Sequence, residues 1–135
     1  MWCRLFDELD HKKIAGEFSA IIKILNAARM GKISIVRSEV LFYELSKIKG
    51  EEKEAVKALV NEVSNELVVT SEKTRKIFEG VARECGLNAV DALHIALAVE
   101  HDVDVFLTTD GEVLNKGECI KRCGIDVKNP VDYGV

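Results

Sequence analysis

The chain has 135 residues, the length of a single domain. Leu, Ile, Val and Phe make up about a third of it, more than disordered chains carry, so a packed core can form. The net charge of −4 argues against a broad Lys- and Arg-lined groove for nucleic acid, although carboxylates that hold metal ions count as negative in the same sum. The longest stretch without a charged residue, Ala92 to Val99, is far below the roughly twenty apolar residues of a membrane span. Arg4, Asp7, Glu8 and Asp10 interrupt the apolar start that a secretory signal would need. The expectation is one cytoplasmic domain over residues 1–135, with Cys3, Cys85, Cys119 and Cys123 as buried free thiols rather than disulfides. Cys119 and Cys123 are spaced to share a helix face, but no second Cys or His pair completes a zinc site.

Taken in chain order, Ile14, Phe18, Ile21, Ile22 and Leu25 have helical spacing over residues 11–30, with Gly31 as the stop. Ile33 to Val36 is a short β-branched run and reads as a strand. Ser38 caps a second helix through Val40, Leu41, Glu44, Leu45 and Ile48, closed by Gly50. Residues 51–64 give a third helix, with Val56, Leu59, Val60 and Val63 on one face. Leu67 to Thr70 reads as a strand, and Ser71 caps a helix carrying Ile77, Phe78, Val81 and Cys85 up to Gly86. Asn88 starts a fifth helix that is apolar almost all round, the signature of a buried helix. Val105 to Thr108 is a strand, residues 110–123 hold a short helix, and Ile125 to Val127 is a last strand. Strands separated by helices point to an α/β fold with a parallel sheet. The first long helix has no strand before it to pack back onto, because Met1 to Asp10 is a poor strand.

In parallel sheets, ligands bind beyond the carboxyl ends of the strands. Asp110 follows the strand at 105–108 directly, where a helix cap and a functional acid carry equal weight. Asp91 stands three residues after Asn88, as a capping-box carboxylate would. On so apolar a helix, however, it is partly enclosed and needs a partner, often a metal ion. Glu44 taken alone reads as an ordinary exposed helix glutamate, with Lys47 in reach. His94 lies on the same face as Asp91 and reads first as a histidine satisfied by a polar neighbour. Three carboxylates converging at one sheet edge would make an oxygen-rich site of the kind Mg²⁺ or Mn²⁺ prefers. Such a site suits phosphodiester hydrolysis. Lys73, Arg75, Lys76, Lys121 and Arg122 are read as solvated helix faces rather than phosphate contacts.

The run Asp91-Ala92-Leu93-His94-Ile95-Ala96-Leu97-Ala98, followed by Val105-Phe106-Leu107-Thr108-Thr109-Asp110, resembles the PIN domain family (PilT N-terminal type). Ser38-Glu39-Val40-Leu41-Phe42-Tyr43-Glu44-Leu45 and the tail from Gly124 to Val131 extend the likeness over nearly the whole chain. The resemblance implies a three-layer α/β/α sandwich and a ribonuclease or 5′-nuclease-like activity dependent on Mg²⁺ or Mn²⁺. Glu44, Asp91 and Asp110 match the family's acidic positions, as metal ligands and catalytic residues, and Thr108 or Thr109 would orient the phosphate or a water. The chain is also similar to prokaryotic members that form the toxin half of toxin–antitoxin pairs. That likeness implies an RNA substrate, an antitoxin protein as partner and a homodimer; the alternative is a PIN-like binding or dimerisation module without catalysis.

One departure stands out. The family opens with an apolar strand, central in the sheet, that ends in a metal-binding aspartate. Here Met1-Trp2-Cys3-Arg4-Leu5 resembles the stretch just after that aspartate, so the resemblance places the strand and its acid about three residues before Met1. Asp7 and Asp10 lie past the turn and are poorly placed to substitute. A parallel sheet without its centre leaves backbone groups to be satisfied on both sides of the gap. A partner chain or a rearranged strand order is then expected, and direct pairing of strands 33–36 and 104–108 would count against the partner.

Overall fold

The computed structural model describes residues 12–38, 41 and 51–134. In chain order the elements are α1 (Lys12–Arg29), β1 (Ile35–Ser38), α2 (Glu51–Val63), β2 (Ser64–Val68), α3 (Glu72–Cys85) and α4 (Ala89–Glu100). They continue with β3 (Val105–Leu107), α5 (Gly111–Asn115), α6 (Gly117–Cys123), β4 (Asp126–Lys128) and a 3-10 turn (Pro130–Asp132). The fold is α/β, as expected. Much of the stretch that carries the expected second helix, including Glu44, lies outside the described residues, as do Asp7, Asp10 and Cys3.

The helix ends follow from local chemistry. Beyond α1, Gly31 takes the left-handed conformation at φ 74°. Its amide donates to the Ala28 carbonyl, and the Lys32 amide donates to the Ala27 carbonyl. These are the paired bonds of a Schellman motif, which glycine enters without steric cost. At the start of α3, the Ser71 hydroxyl accepts the Thr74 amide while the Thr74 side chain accepts the Ser71 amide, a reciprocal capping box. The same two hydroxyls donate to the Glu100 carboxylate at the end of α4, tying the α3 start to the α4 end.

The Ser71 and Thr74 hydroxyls, with His101 adding to them, hold the Glu100 carboxyl below its ordinary 4.5. A carboxyl depressed on folding stabilises the native state fully above its unfolded value, and that contribution fades as pH falls through the folded value. The melting-temperature gap between the wild type and Glu100→Gln is therefore expected to be widest at neutral pH. It should close well below the ordinary carboxylate range. A gap unchanged in acid would remove Glu100 from the account.

The core has two main parts and a small third cluster that joins their elements. Val81, Leu87, Ala92, Ile95, Ala98, Val113, Ile120 and Ile125 form the larger, under β3 and β4. Ile21, Leu25 and Val63 form a second between α1 and α2. The joint between the halves is Leu97 of α4 against Val68 of β2, with Val36, Val90 and Leu93 packed around them. This double duty explains why α4 is apolar on nearly every face. Ala92, Ile95 and Ala98 serve one half and Leu97 the other, and burying each Ile or Leu contributes about 1.5–3 kcal/mol.

The sheet differs from a single continuous one. Among the described residues, β1 pairs in parallel with β2, and β3 pairs in parallel with β4, as separate two-stranded sheets. β1 and β3 are not joined; they line a cavity of about 560 Å³, with Ile24 of α1 and Leu97 of α4 also in its wall.

Three smaller expectations are corrected. β1 runs on to Ser38, because its ladder with β2 continues through Arg37 and Ser38. Correspondingly, β2 begins at Ser64 directly after α2, in polar residues that carry no apolar signal. The expected helix over 110–123 is two helices, since Lys116 leaves helical geometry (φ −101°, ψ 14°). The largest correction concerns the cysteines. Cys85 at the end of α3 and Cys119 in α6 form a disulfide, with Cα atoms 5.7 Å apart, and Cys123 is a free, half-buried thiol. The apolar packing of α3 against α6 brings together side chains 34 residues apart, which spacing alone could not reveal.

Candidate functional site

Asp91 and Asp110 come from different elements and line the same cavity between β1 and β3. Asp110 follows β3 and is the N-cap of α5. Its Oδ1 accepts the Glu112 amide at 2.9 Å, and its own amide donates to Thr108 Oγ1 at 3.1 Å. Thr108 is buried, and its amide extends the ladder to the Lys128 carbonyl at 3.0 Å. The β3–β4 pair thus fixes Thr108, and Thr108 fixes the turn that presents Asp110. The cap bond engages one carboxylate oxygen, so capping and ligation are compatible roles for this residue.

Asp91 sits in the first turn of α4. The Asn88 side chain accepts the Asp91 amide at 2.9 Å and donates through Nδ2 to Asp91 Oδ2 at 2.8 Å. The arrangement resembles the expected capping box, except that the carboxylate is met by the asparagine side chain rather than its backbone. The half-buried carboxylate stays on the cavity wall. His94, one turn further on, lines the same cavity and lies tilted against Phe106 of β3, ring centres 5.9 Å apart.

The third sequence-predicted acid, Glu44, lies outside the described residues. Among the described residues, no three His, Cys, Asp or Glu side chains cluster as a metal site. Three aspartates, Asp91, Asp104 and Asp110, do line one cavity, however, with the oxygen-bearing side chains Ser38, Thr108 and Thr109 also in its lining. This donor set fits a hard divalent cation, since Mg²⁺ is commonly held by one or two carboxylates together with waters and substrate phosphates. Asp91 and Asp110 are the described residues that would hold it.

Two residues escaped sequence reasoning. Arg37 lines the cavity from β1, and its Nη1 donates to Ser64 Oγ at 2.9 Å. It was hidden because it follows the apolar run that marks the strand. Glu17 of α1 is fully buried and accepts from Asn129 Nδ2 at 2.5 Å, which links α1 to the C-terminal turn. The signal for it was present: Glu17 falls on the helical stripe of Ile21, Ile24 and Ala28. By contrast, Lys73, Arg75, Lys76, Lys121 and Arg122 are exposed and do not line the cavity.

Comparison with known families gives a match to the PIN domain over residues 5–118. The chain belongs to the PIN domain family. No curated protein and no solved structure gives a match. PIN domains are generally nucleases dependent on divalent metal ions. In this PIN domain, the acids after β3 and at the start of α4 line the same cavity, although they are far apart in sequence. No helix among the described residues is long and apolar enough to cross a membrane.

Proposed function

We propose that this PIN domain is a metal-dependent ribonuclease that hydrolyses phosphodiesters in RNA. The observation that carries the reading is that Asp91 and Asp110 line one cavity in a chain of this family. Asp91, Asp110 and Glu44 are assigned as the carboxylates that hold Mg²⁺ or Mn²⁺. A bound divalent ion supplies charge neutralisation at the phosphate and activation of water. The chain's own groups act around it. Asn88 orients the Asp91 carboxylate, Thr108 and the Glu112 amide orient that of Asp110, and the Arg37 guanidinium offers the phosphate a cation at the cavity edge. The role of toxin with an antitoxin partner, and assembly as a homodimer, belong to the same proposal and rest on the family likeness alone.

The test is cleavage of an end-labelled single-stranded RNA with Mn²⁺ or Mg²⁺, and again after chelation by EDTA. Cleavage fragments with the metal, and their loss with EDTA, are expected. Cleavage indifferent to EDTA would overturn the reading.

A second reading is favoured by the sheet pairing among the described residues, in which β1 and β3 are not joined across the cavity. In that reading the chain is a PIN-like binding or dimerisation module without catalysis. The same assay separates the two, because the module binds or dimerises but yields no fragments at any metal concentration.

A further inference from the structure

Three sulfurs meet where the C-terminus of α3 packs against α6. Cys85, the last residue of α3, is buried and bonded to Cys119. Cys123 Sγ lies 4.0 Å from Cys85 Sγ. Cys119 and Cys123 are four residues apart on α6, so both project from the same helix face toward the one cysteine of α3. All three pack on the larger core, and none lines the cavity that holds Asp91 and Asp110.

We propose that Cys85, Cys119 and Cys123 form a thiol–disulfide exchange site, in which the buried Cys85 sulfur is shared and its partner alternates between the two cysteines of α6. The step is internally balanced. Cys123 gives its proton to water, and the resulting thiolate attacks Cys85 Sγ. The Cys85–Cys123 bond forms as the Cys85–Cys119 bond breaks. The electron pair leaves on Cys119 Sγ, which takes a proton from water. One disulfide and one thiol are present before and after, so no external oxidant or reductant is consumed.

The geometry requires little motion. A disulfide spans about 2 Å, so the Cys123 sulfur must close about 2 Å, within the reach of a side-chain rotation. Burial first, then the Glu84 carboxylate, push the Cys123 thiol above its ordinary value of 9.0, with Arg122 opposing. The structure holds the Cys85–Cys119 bond with Cys123 as the free thiol, and this is the resting linkage. After exchange, α6 is fixed to α3 one helical turn nearer its own end. That end runs through Gly124, at φ 119°, into β4, whose Lys128 carbonyl accepts the amide of Thr108 just past β3. The released thiol is that of Cys119, which becomes the group open to modification by small disulfides or electrophiles.

The sequence makes the test direct, because Lys121 and Arg122 let trypsin cut between Cys119 and Cys123. The oxidised full chain, with Cys3→Ser to remove the remaining thiol, is incubated at neutral pH, quenched in acid and alkylated. It is then digested and read by mass spectrometry for the peptide linked to Cys85. The expected result is a majority linked to Cys119 and a minority, roughly a tenth or more, linked to Cys123. In Cys119→Ser, a buffer of oxidised and reduced glutathione should drive formation of the Cys85–Cys123 disulfide. The inference is overturned if Cys85 in the Cys3→Ser digest is linked to Cys119 alone. It is equally overturned if Cys119→Ser, with native circular dichroism, keeps two alkylatable thiols in that buffer.

Discussion

Asp91→Asn is expected to lower metal-dependent RNA cleavage by about 100-fold, the equivalent of roughly 3 kcal/mol of lost transition-state stabilisation at a metal-assisted site. The fold should stand. The asparagine keeps an oxygen for the Asn88 Nδ2 donor, and the Asn88 bond to the backbone amide of residue 91 does not involve the side chain replaced. Stability should therefore move by no more than about 0.5 kcal/mol. Asp110→Asn is a parallel case, because asparagine caps helices as well as aspartate does, so the bond to the Glu112 amide survives while the charge is lost. If both acids serve one ion, the double variant should be little worse than either single one, since residues acting as a unit are far from additive. The measurement is single-turnover cleavage of labelled RNA with Mn²⁺, alongside thermal melts of each variant. Wild-type rates in both Asp91→Asn and Asp110→Asn, with unchanged melts, would reduce the two acids to local roles at their helix starts. Glu44→Gln in the same assay tests the third assigned ligand.

Where the sequence was legible, the reason is local chemistry. The caps Ser71, Asn88 and Asp110 and the stops Gly31 and Gly86 all stand where expected, because each role is decided within a few residues. The unusual apolarity of α4 also read correctly as burial, and the structure supplies its cause in the two core parts that the helix serves. Illegible features depend on distance. The first residues of β2 are polar, and only pairing with β1 makes them a strand. The Cys85–Cys119 disulfide depends on how α3 meets α6. Of the candidate site, Asp91 and Asp110 were legible as residue types at helix starts, and their common cavity needed the coordinates. Arg37 shows the limit most plainly. A lone arginine after an apolar run has no pattern of its own, yet it lines the cavity from the opposite strand.

Leu97→Ala is expected to destabilise the protein by about 3 kcal/mol, within the range for emptying a buried leucine site, and to lower the melting temperature by roughly 10 °C. Leu97 is 1% exposed and forms the joint with Val68 between the two parts of the core. Ile120→Ala is the informative comparison. Ile120 is 0% exposed but belongs wholly to the larger cluster, away from that joint. Its loss should cost a similar amount of free energy. The two variants should part company in function. α4 carries Asp91 and His94, and Leu97 holds that helix to β2, whose partner β1 forms the other wall of the cavity. Loosening this joint shifts Asp91 on α4 relative to the β1 wall, whereas loosening Ile120 leaves the two walls in register. At a temperature where both variants are fully folded, cleavage should fall more in Leu97→Ala than in Ile120→Ala. Equal cleavage by two equally destabilised variants would show that the cavity does not depend on the joint between the halves.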